Sequence, residues 1–446
     1  MSRPDRVGGA ATVLCLISLD GISTVDRGKE GNVKAVLVIA DGLGGRPSDC
    51  QGRSCLEAAR TPTLDELAHR GAVGLVDPIR HGVRPGSDTA HLSLLGYDPY
   101  EVYTGRGAFE CLGIGMKVAC GDVCFRANFA TVEAVADGLR LLDRRAGRID
   151  TGQQLLAEAL DGIALRSDRE ITFEFRPSTQ HRGALILRGP GLSRHVSEND
   201  PHEAGVLIPD SRSLIDDEAA ERTASLVDEL TRRSFEAWDD HPVNRDRRAA
   251  GEPPANVLLL RGAAELPDLP SIESLYGVHS AVVAGGALYR GVALAAGMTS
   301  IPCPGATGGL DTDLRAKAEA AVEALAAHDC VFVHIKGTDN AGHDRDADAK
   351  TRFIERVDGE FFAPLVEQLD GGSTHIAFTG DHTTPIDFGD HVADPVPVLF
   401  VGPNVMPDVC DRFDERSAGN GGLGRFAGRV LPMLLGYCNW SPKFGS

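Results

Sequence analysis

Apolar positions in this chain fall into two rhythms. Ala35 to Ala40 is an unbroken apolar run, the pattern of a strand covered on both faces. Cys330 to Ile335, Ile376 to Thr379 and Val396 to Val401 read as further short strands. Between them the period changes to that of a helix. Asp313 to Ala327 places Leu314, Ala318, Ala321, Val322 and Leu325 on one helical face, and Phe353 to Leu365 aligns Ile354, Val357, Phe361 and Leu365. Thr61-Pro62-Thr63-Leu64-Asp65-Glu66-Leu67 reads as a helix start, with a Thr cap, Pro at the first position and acids in the first turn. This succession predicts an α/β protein built on a doubly wound sheet.

The middle of the chain differs. From about Gly115 to Gly277 it carries shorter strand-like runs, more charge and irregular loops. Arg245, Arg247 and Arg248, followed by Gly251-Glu252-Pro253-Pro254, read as a surface connection. Strands with candidate site residues occur on both sides of this region. The expected organisation is therefore one domain from residues 33–114 and 278–446, with residues 115–277 inserted as a smaller α+β cap.

Residues 1–32 read as a variable extension. Ala10 to Leu19, after Arg3 and Arg6, faintly resembles a signal peptide, but it is short, Asp20 follows at once and no small-residue cleavage site is evident. The same stretch echoes a later one: Val13 to Gly21 and Val36 to Gly42 both read as a buried strand ending in Asp-Gly. Only the second continues into Gly44-Gly45 and a helix signal, so Asp41 is taken as functional and Asp20 as part of the extension.

Composition narrows the partners. The 446 residues are 42% hydrophobic, ample for a large core, and carry a net charge of −19, which argues against nucleic acid or an anionic membrane. A small anionic substrate remains compatible, because bound divalent cations oppose the global field locally. The ten cysteines contain no CxxC pair and read as ordinary thiols of a reducing, cytoplasmic setting. No apolar run approaches the roughly 20 residues that span a bilayer.

Four short stretches carry the chemistry: Asp41-Gly42, Ser87-Asp88-Thr89, Asp339-x3-His343, and Asp381-His382 with His391. Without Asp88 they supply three carboxylates, three imidazoles and one serine hydroxyl, the ligand inventory of a two-metal phosphoryl-transfer site. Asp41, Asp339 and Asp381 each follow an expected strand, where ligands of open α/β sheets gather. Asp339 and His343, four apart, share a face on a helical turn. Mixed oxygen and nitrogen donors suit Mn²⁺, Zn²⁺, Co²⁺ or Fe²⁺ better than Mg²⁺ or Ca²⁺ alone. Ser87, at a loop-to-helix junction, is the candidate nucleophile, since free N–H groups there favour a phosphate and a nearby metal would activate the hydroxyl. Each piece has a plainer reading: a turn at Asp41, an ion pair at Asp339 and His343, a helix cap at Asp381 or Ser87, a structural role for His391.

These stretches sit in longer motifs: Pro85-Gly86-Ser87-Asp88-Thr89-Ala90-His91-Leu92-Ser93, Gly96-Tyr97-Asp98-Pro99-Tyr100, Tyr103-Thr104-Gly105-Arg106-Gly107, Asp143-Arg144-Arg145-Ala146-Gly147-Arg148-Ile149, Glu198-Asn199-Asp200-Pro201-His202 and Gly380-Asp381-His382-x-Thr384-Pro385. From about Lys34 to its C-terminus the chain resembles the archaeal-type, cofactor-independent phosphoglycerate mutases of the alkaline phosphatase superfamily. The resemblance implies an alkaline-phosphatase-like fold and two divalent ions, Mn²⁺ foremost, with Zn²⁺, Co²⁺ or Mg²⁺ as alternatives. It implies that Asp339, His343 and His391 hold one ion, and Asp41, Ser87, Asp381 and His382 the other. A phosphoserine at Ser87 would then interconvert 3- and 2-phosphoglycerate without bisphosphoglycerate, under a closing cap. Arg144, Arg145, Arg148 and Arg182 become candidates to grip carboxylate and phosphate, against the plainer reading of surface ion pairs.

Two positions depart from the family pattern. Tyr289-Arg290-Gly291 stands where Val-Lys-Gly is usual, so Arg290 replaces an expected substrate-contacting lysine, and Val392 stands where Ser is usual. These departures motivate two other readings. One is a paralogue moving a phosphonyl group from an activated phosphonate onto phosphoglycerate in natural-product biosynthesis. The other is a non-catalytic metal- or phosphate-binding protein.

Overall fold

The strand Lys34–Ala40 (β1) lies in the middle of a mixed sheet, and its residues 35–40 are fully buried. The computed structural model describes residues 33–445, so the apolar run Ala10 to Leu19 and Asp20 lie outside the described residues. In chain order the other strands are Ala72–Asp77 (β2), Val123–Val135 (β3), Gly138–Asp143 (β4), Thr172–Pro177 (β5), Arg182–Arg188 (β6), Val257–Ala264 (β7), Ser280–Val283 (β8), Thr299–Ser300 (β9), Cys330–Ile335 (β10), Thr374–Gly380 (β11), Val396–Val401 (β12) and Gly424–Ala427 (β13).

Eight of them form the main sheet in the order β13-β2-β12-β11-β1-β10-β8-β9. The strands from β11 through β1, β10 and β8 to β9 run parallel, whereas β12 runs antiparallel to β11 and β2. The alternation within β1 shows why the sheet is covered on both sides. Val36, Val38 and Ala40 join one core with the helices Pro62–His69 and Leu314–Ala324. Ala35, Leu37 and Ile39 join another with Ser87–Leu94, Ala287–Ala295 and Val430–Tyr437. Each fully buried Leu, Ile or Phe in these layers contributes about 1.5–3 kcal/mol relative to exposure.

Between β2 and β8 the chain builds a second, antiparallel sheet of β3 to β7, with β3 at its centre. The helix Glu218–Trp238 covers it, and Trp238 stacks on Phe129 at 5.1 Å between ring centroids.

Local details revise three sequence expectations. Thr61 occupies the cap position before Pro62 but makes no side-chain cap; the Asp358 carboxylate instead accepts from the N–H groups of Thr63 (3.2 Å) and Leu64 (2.7 Å). The basic cluster read as a surface connection is a helix, Pro242–Ala249, begun by a His241 cap and a proline. Within it Arg247 is buried and donates to the carbonyls of Pro253 and Ala146. The helix expected over 353–365 is interrupted by a π-helical turn, Val357–Phe362, just before Pro364, which cannot donate to the preceding turn.

Candidate metal centre

Three neighbouring parallel strands end level with one another. Ala40 of β1 is in register with Ile335 of β10 on one side and Gly380 of β11 on the other. The residues just beyond these ends are therefore delivered to one edge, and they are Asp41, Lys336 to Asp339, and Asp381-His382. The chain turns at once after Asp41 through Gly42, at φ 66°, where a Cβ would lie 2.7 Å from the Asp339 Cα. The Gly42 N–H donates to Asp381 Oδ1 at 3.0 Å. Asp339 and His343 share one short helix, Gly337–His343. Ser87 is the first residue of the helix Ser87–Leu94, with Gly86 as its cap, so its hydroxyl is not spent on capping.

The side chains converge in two groups of ligand atoms, each within 4.8 Å: Asp339, His343 and His391, and Asp41, Asp339 and His382. In the first, Asp339 Oδ1 lies 3.2 Å from His343 Nε2 and 3.6 Å from His391 Nε2. In the second, His382 Nε2 lies 3.2 Å from Asp41 Oδ1 and 4.0 Å from Asp339 Oδ1. Asp381 Oδ2, at 3.4 Å, and Ser87 Oγ, at 3.4 Å, approach that same nitrogen. Asp339 thus stands between the two groups rather than in one alone.

The donors are prepared for a cation. Asp41 Oδ1 and Asp381 Oδ2 are buried oxygens without a hydrogen-bond donor. Ionising a carboxyl group withdrawn from water in this way is costly without a cation. All three imidazoles turn Nε2 inward and engage Nδ1 elsewhere: His343 on the Gly389 carbonyl (3.0 Å), His391 on the Pro85 carbonyl (2.9 Å) and His382 on the Thr384 hydroxyl (2.9 Å). A carbonyl partner fixes Nδ1 as the N–H and leaves Nε2 as the donor atom for a metal. The donor set of carboxylate oxygens, imidazole nitrogens and one hydroxyl fits divalent ions of the Mn²⁺ and Zn²⁺ kind.

Protonation follows from the same geometry. Burial pushes the Asp381 carboxyl well up from its ordinary value, and the charges of Asp41 and Asp339 push it further. Asp41 and Asp339 go the other way: against the cost of burial, the Lys336 ammonium holds both well below the usual carboxylate range. Asp339 raises His343 to about 9. Burial lowers His334 to about 3 and His91 to about 4, so both are neutral at pH 7.

Several of the residues that build this centre carried no motif in the sequence. Lys336 donates to Asp41 Oδ2 (3.2 Å) and Asp339 Oδ2 (2.6 Å). His334 bonds the same Asp41 oxygen at 3.1 Å, and Tyr289 stacks on its ring. His91, which lies within the Ser87 motif of the sequence, places Nδ1 2.6 Å from the Ser87 carbonyl. The one available signal was position, since His334 and Lys336 flank the end of β10.

The arginines divide. Arg144 forms a paired ion bond with Asp200, Nε to Oδ1 at 2.8 Å and a terminal nitrogen to Oδ2 at 2.6 Å. Arg290 donates to the Gly113 carbonyl at 3.0 Å and lines a separate cleft with Pro177 and Pro302. It is Tyr289, one residue earlier, that faces the centre. Arg145 and Arg148 both act electrostatically on His181, beside Arg182. Arg182 belongs to a cluster that sequence reading left unassembled: Arg106, Arg126 and Arg261 with the half-buried Glu110. Arg106 Nε pairs with Glu110 at 2.8 Å, while the buried Nε atoms of Arg126 and Arg261 have no acceptor. Withdrawal from water and the neighbouring arginines lower Arg126 to about 9. Such crowding of cations favours an incoming anion. Arg106 also feels the charge of Asp88, the residue next to Ser87.

Comparison with known proteins finds one family along most of the chain. The family model described as 2,3-bisphosphoglycerate-independent phosphoglycerate mutase matches residues 68–244. The enzymes of that name from Methanopyrus kandleri and Ignicoccus hospitalis are each 46% identical over 417 residues, 93% of this chain and 98% and 99% of theirs. A solved structure from Pyrococcus horikoshii superposes with a TM-score of 0.80 at 36% identity, covering 93% of this chain and 99% of that one. The cofactor-independent phosphoglycerate mutase of Thermoplasma acidophilum gives 0.65 at 35% identity, covering 91% and 100%. With that identity extending over nearly the whole of both chains, the protein belongs to the family of 2,3-bisphosphoglycerate-independent phosphoglycerate mutases.

Proposed function

We propose that this protein interconverts 3-phosphoglycerate and 2-phosphoglycerate by phosphoryl transfer through Ser87, without bisphosphoglycerate. The observation that carries the reading is the Ser87 hydroxyl 3.4 Å from His382 Nε2, next to two buried carboxylate oxygens that lack a donor. The relatives' shared name favours this reading over phosphonyl transfer and over a non-catalytic role.

Asp339, His343 and His391 would hold one divalent ion, and Asp41, Asp381, His382 and Ser87 the other, with Mn²⁺ the first choice. Bound ions of this kind neutralise charge on a transferring phosphoryl group and activate the attacking hydroxyl. Ser87 Oγ attacks phosphorus in line and becomes a phosphoserine, while the glycerate oxygen leaves. Lys336 keeps a fixed positive charge beside Asp41 and Asp339. Arg106, Arg126, Arg182 and Arg261 grip the carboxylate, so glycerate stays bound until its other hydroxyl takes the group back. Residues 115–277 act as the cap, supplying three of these arginines and excluding water that would hydrolyse the phosphoserine.

Nine unpaired cysteines among the described residues support a reducing, cytoplasmic setting. Among those residues no helix is long and apolar enough to cross a membrane.

The test is conversion of 3-phosphoglycerate by purified protein with Mn²⁺ and no bisphosphoglycerate, coupled to enolase. Turnover that EDTA abolishes is expected. A folded, Mn²⁺-loaded protein without turnover would refute the proposal.

A further inference from the structure

The helix Ala347–Arg356 follows directly after His343 and carries a lysine in its first turns, Lys350, whose side chain is fully buried. Its ammonium donates to two backbone carbonyls, Gly44 at 2.8 Å and Thr384 at 2.8 Å. Gly44 lies three residues beyond Asp41, and Thr384 two beyond His382. One side chain rooted beside the Asp339–His343 helix therefore ties together all three ligand-bearing strand ends.

The consequences run inward through Thr384. Its hydroxyl donates to Asp339 Oδ1 at 3.3 Å and accepts from His382 Nδ1 at 2.9 Å. It thus orients one ligand from each of the two candidate ion positions. The Thr384 N–H also reaches the Gly44 carbonyl at 3.3 Å, so Lys350 closes a small ring of bonds. Packing leaves the ring no slack: a Cβ on Gly44 would fall 2.0 Å from the Thr383 hydroxyl. A buried ammonium repays its desolvation only where its acceptors are fixed, and here both acceptors are backbone.

We propose that Lys350 is a positioning residue that sets the separation of the two metal-ligand groups, Asp339–His343–His391 and Asp41–Asp381–His382. This rests on the two-ion reading above. Lys350 touches neither substrate nor ion; removing it leaves the Thr384 carbonyl without its donor and frees the Thr384 hydroxyl to drift from Asp339 and His382.

The experiment compares wild type with Lys350→Met and Lys350→Gln, all full-length, by Mn²⁺ titration calorimetry, circular dichroism and steady-state kinetics. Wild type is expected to bind two Mn²⁺ per chain. Lys350→Met should fold but bind Mn²⁺ more weakly, on the order of 10–100-fold, the usual penalty for lost outer-sphere support. Its kcat should fall in parallel while KM for 3-phosphoglycerate holds within about threefold, because uniform binding is untouched. Lys350→Gln, which keeps an N–H donor, should recover part of the affinity. Unchanged Mn²⁺ affinity in a folded Lys350→Met protein overturns the proposal. Loss of folding in both variants also overturns it, assigning the lysine to global stability. A wild type that binds no Mn²⁺ is a separate result: it removes the two-ion reading, and the positioning role with it.

Discussion

Ser87 Oγ and His382 Nε2 lie 3.4 Å apart although 295 residues separate them in sequence. Because Gly86 takes the cap position, removing the hydroxyl costs the helix no capping bond. Ser87→Ala should therefore leave the melting temperature within a few degrees while abolishing turnover. Incubation with labelled 3-phosphoglycerate should give no acid-stable phosphoprotein, and label retained by this variant would exclude Ser87 as nucleophile.

His343 is held on the Gly389 carbonyl, with Nε2 turned to Asp339. His343→Ala deletes one ligand of the first group and leaves the second intact. Elemental analysis should show about one ion per chain instead of two. Full occupancy would strike His343 from the ligand set.

The arginine cluster should govern substrate affinity rather than metal content. Arg126→Gln removes a cation whose proton is already weakened by burial and by Arg106 and Arg261. KM for 3-phosphoglycerate is expected to rise by about tenfold or more, the worth of one charge-assisted hydrogen bond. Mn²⁺ stoichiometry should not move. A normal KM would place the carboxylate elsewhere.

Glu415 gives a pH effect of definite sign. Its carboxylate accepts from the Gly45 N–H at 2.9 Å and from the Ser54 hydroxyl at 2.5 Å, and burial raises it to about 7. The folded state thus binds this proton more tightly than the unfolded chain, where the group titrates near 4.3. Below that value the residue is neutral in both states; stability falls as pH climbs from there towards 7 and the cost then levels off. Glu415→Gln keeps the acceptor and removes the charge. It should flatten this decline in denaturant midpoints measured between pH 4.5 and 8, and an unaltered slope would assign the decline to other groups.

Asp358 caps a helix from 294 residues away. Asp358→Ala leaves the Thr63 and Leu64 N–H groups unmet and should lower stability by about 0.5–2 kcal/mol in urea unfolding, with no change in kcat.

Residues that act through strand position were legible in the sequence. Asp41, Asp339 and Asp381 each follow an apolar run, and parallel strands in register carry their ends to a common edge. Residues that act through tertiary juxtaposition were not. Arg126 and Arg261 sit on β3 and β7, with nothing nearby in sequence to mark them, and become a cluster only when those strands pair. Asp358 caps a distant helix for which Thr61 was the local candidate. Arg144 satisfied a motif, yet Asp200, 56 residues on, takes its guanidinium.

The place of β1 between β10 and β11 has a bearing on how the protein is made. Both of its neighbours are translated after residue 329. At about 5–20 residues per second, β1 leaves the ribosome roughly 15–60 s before either partner exists. For that interval Val36, Leu37, Val38 and Ile39 form an unpaired sticky edge on the nascent chain. Assembly of this strand edge is thus late: a chain ended before residue 330 lacks both neighbours of β1 and the residues Asp339 and Asp381 that follow them.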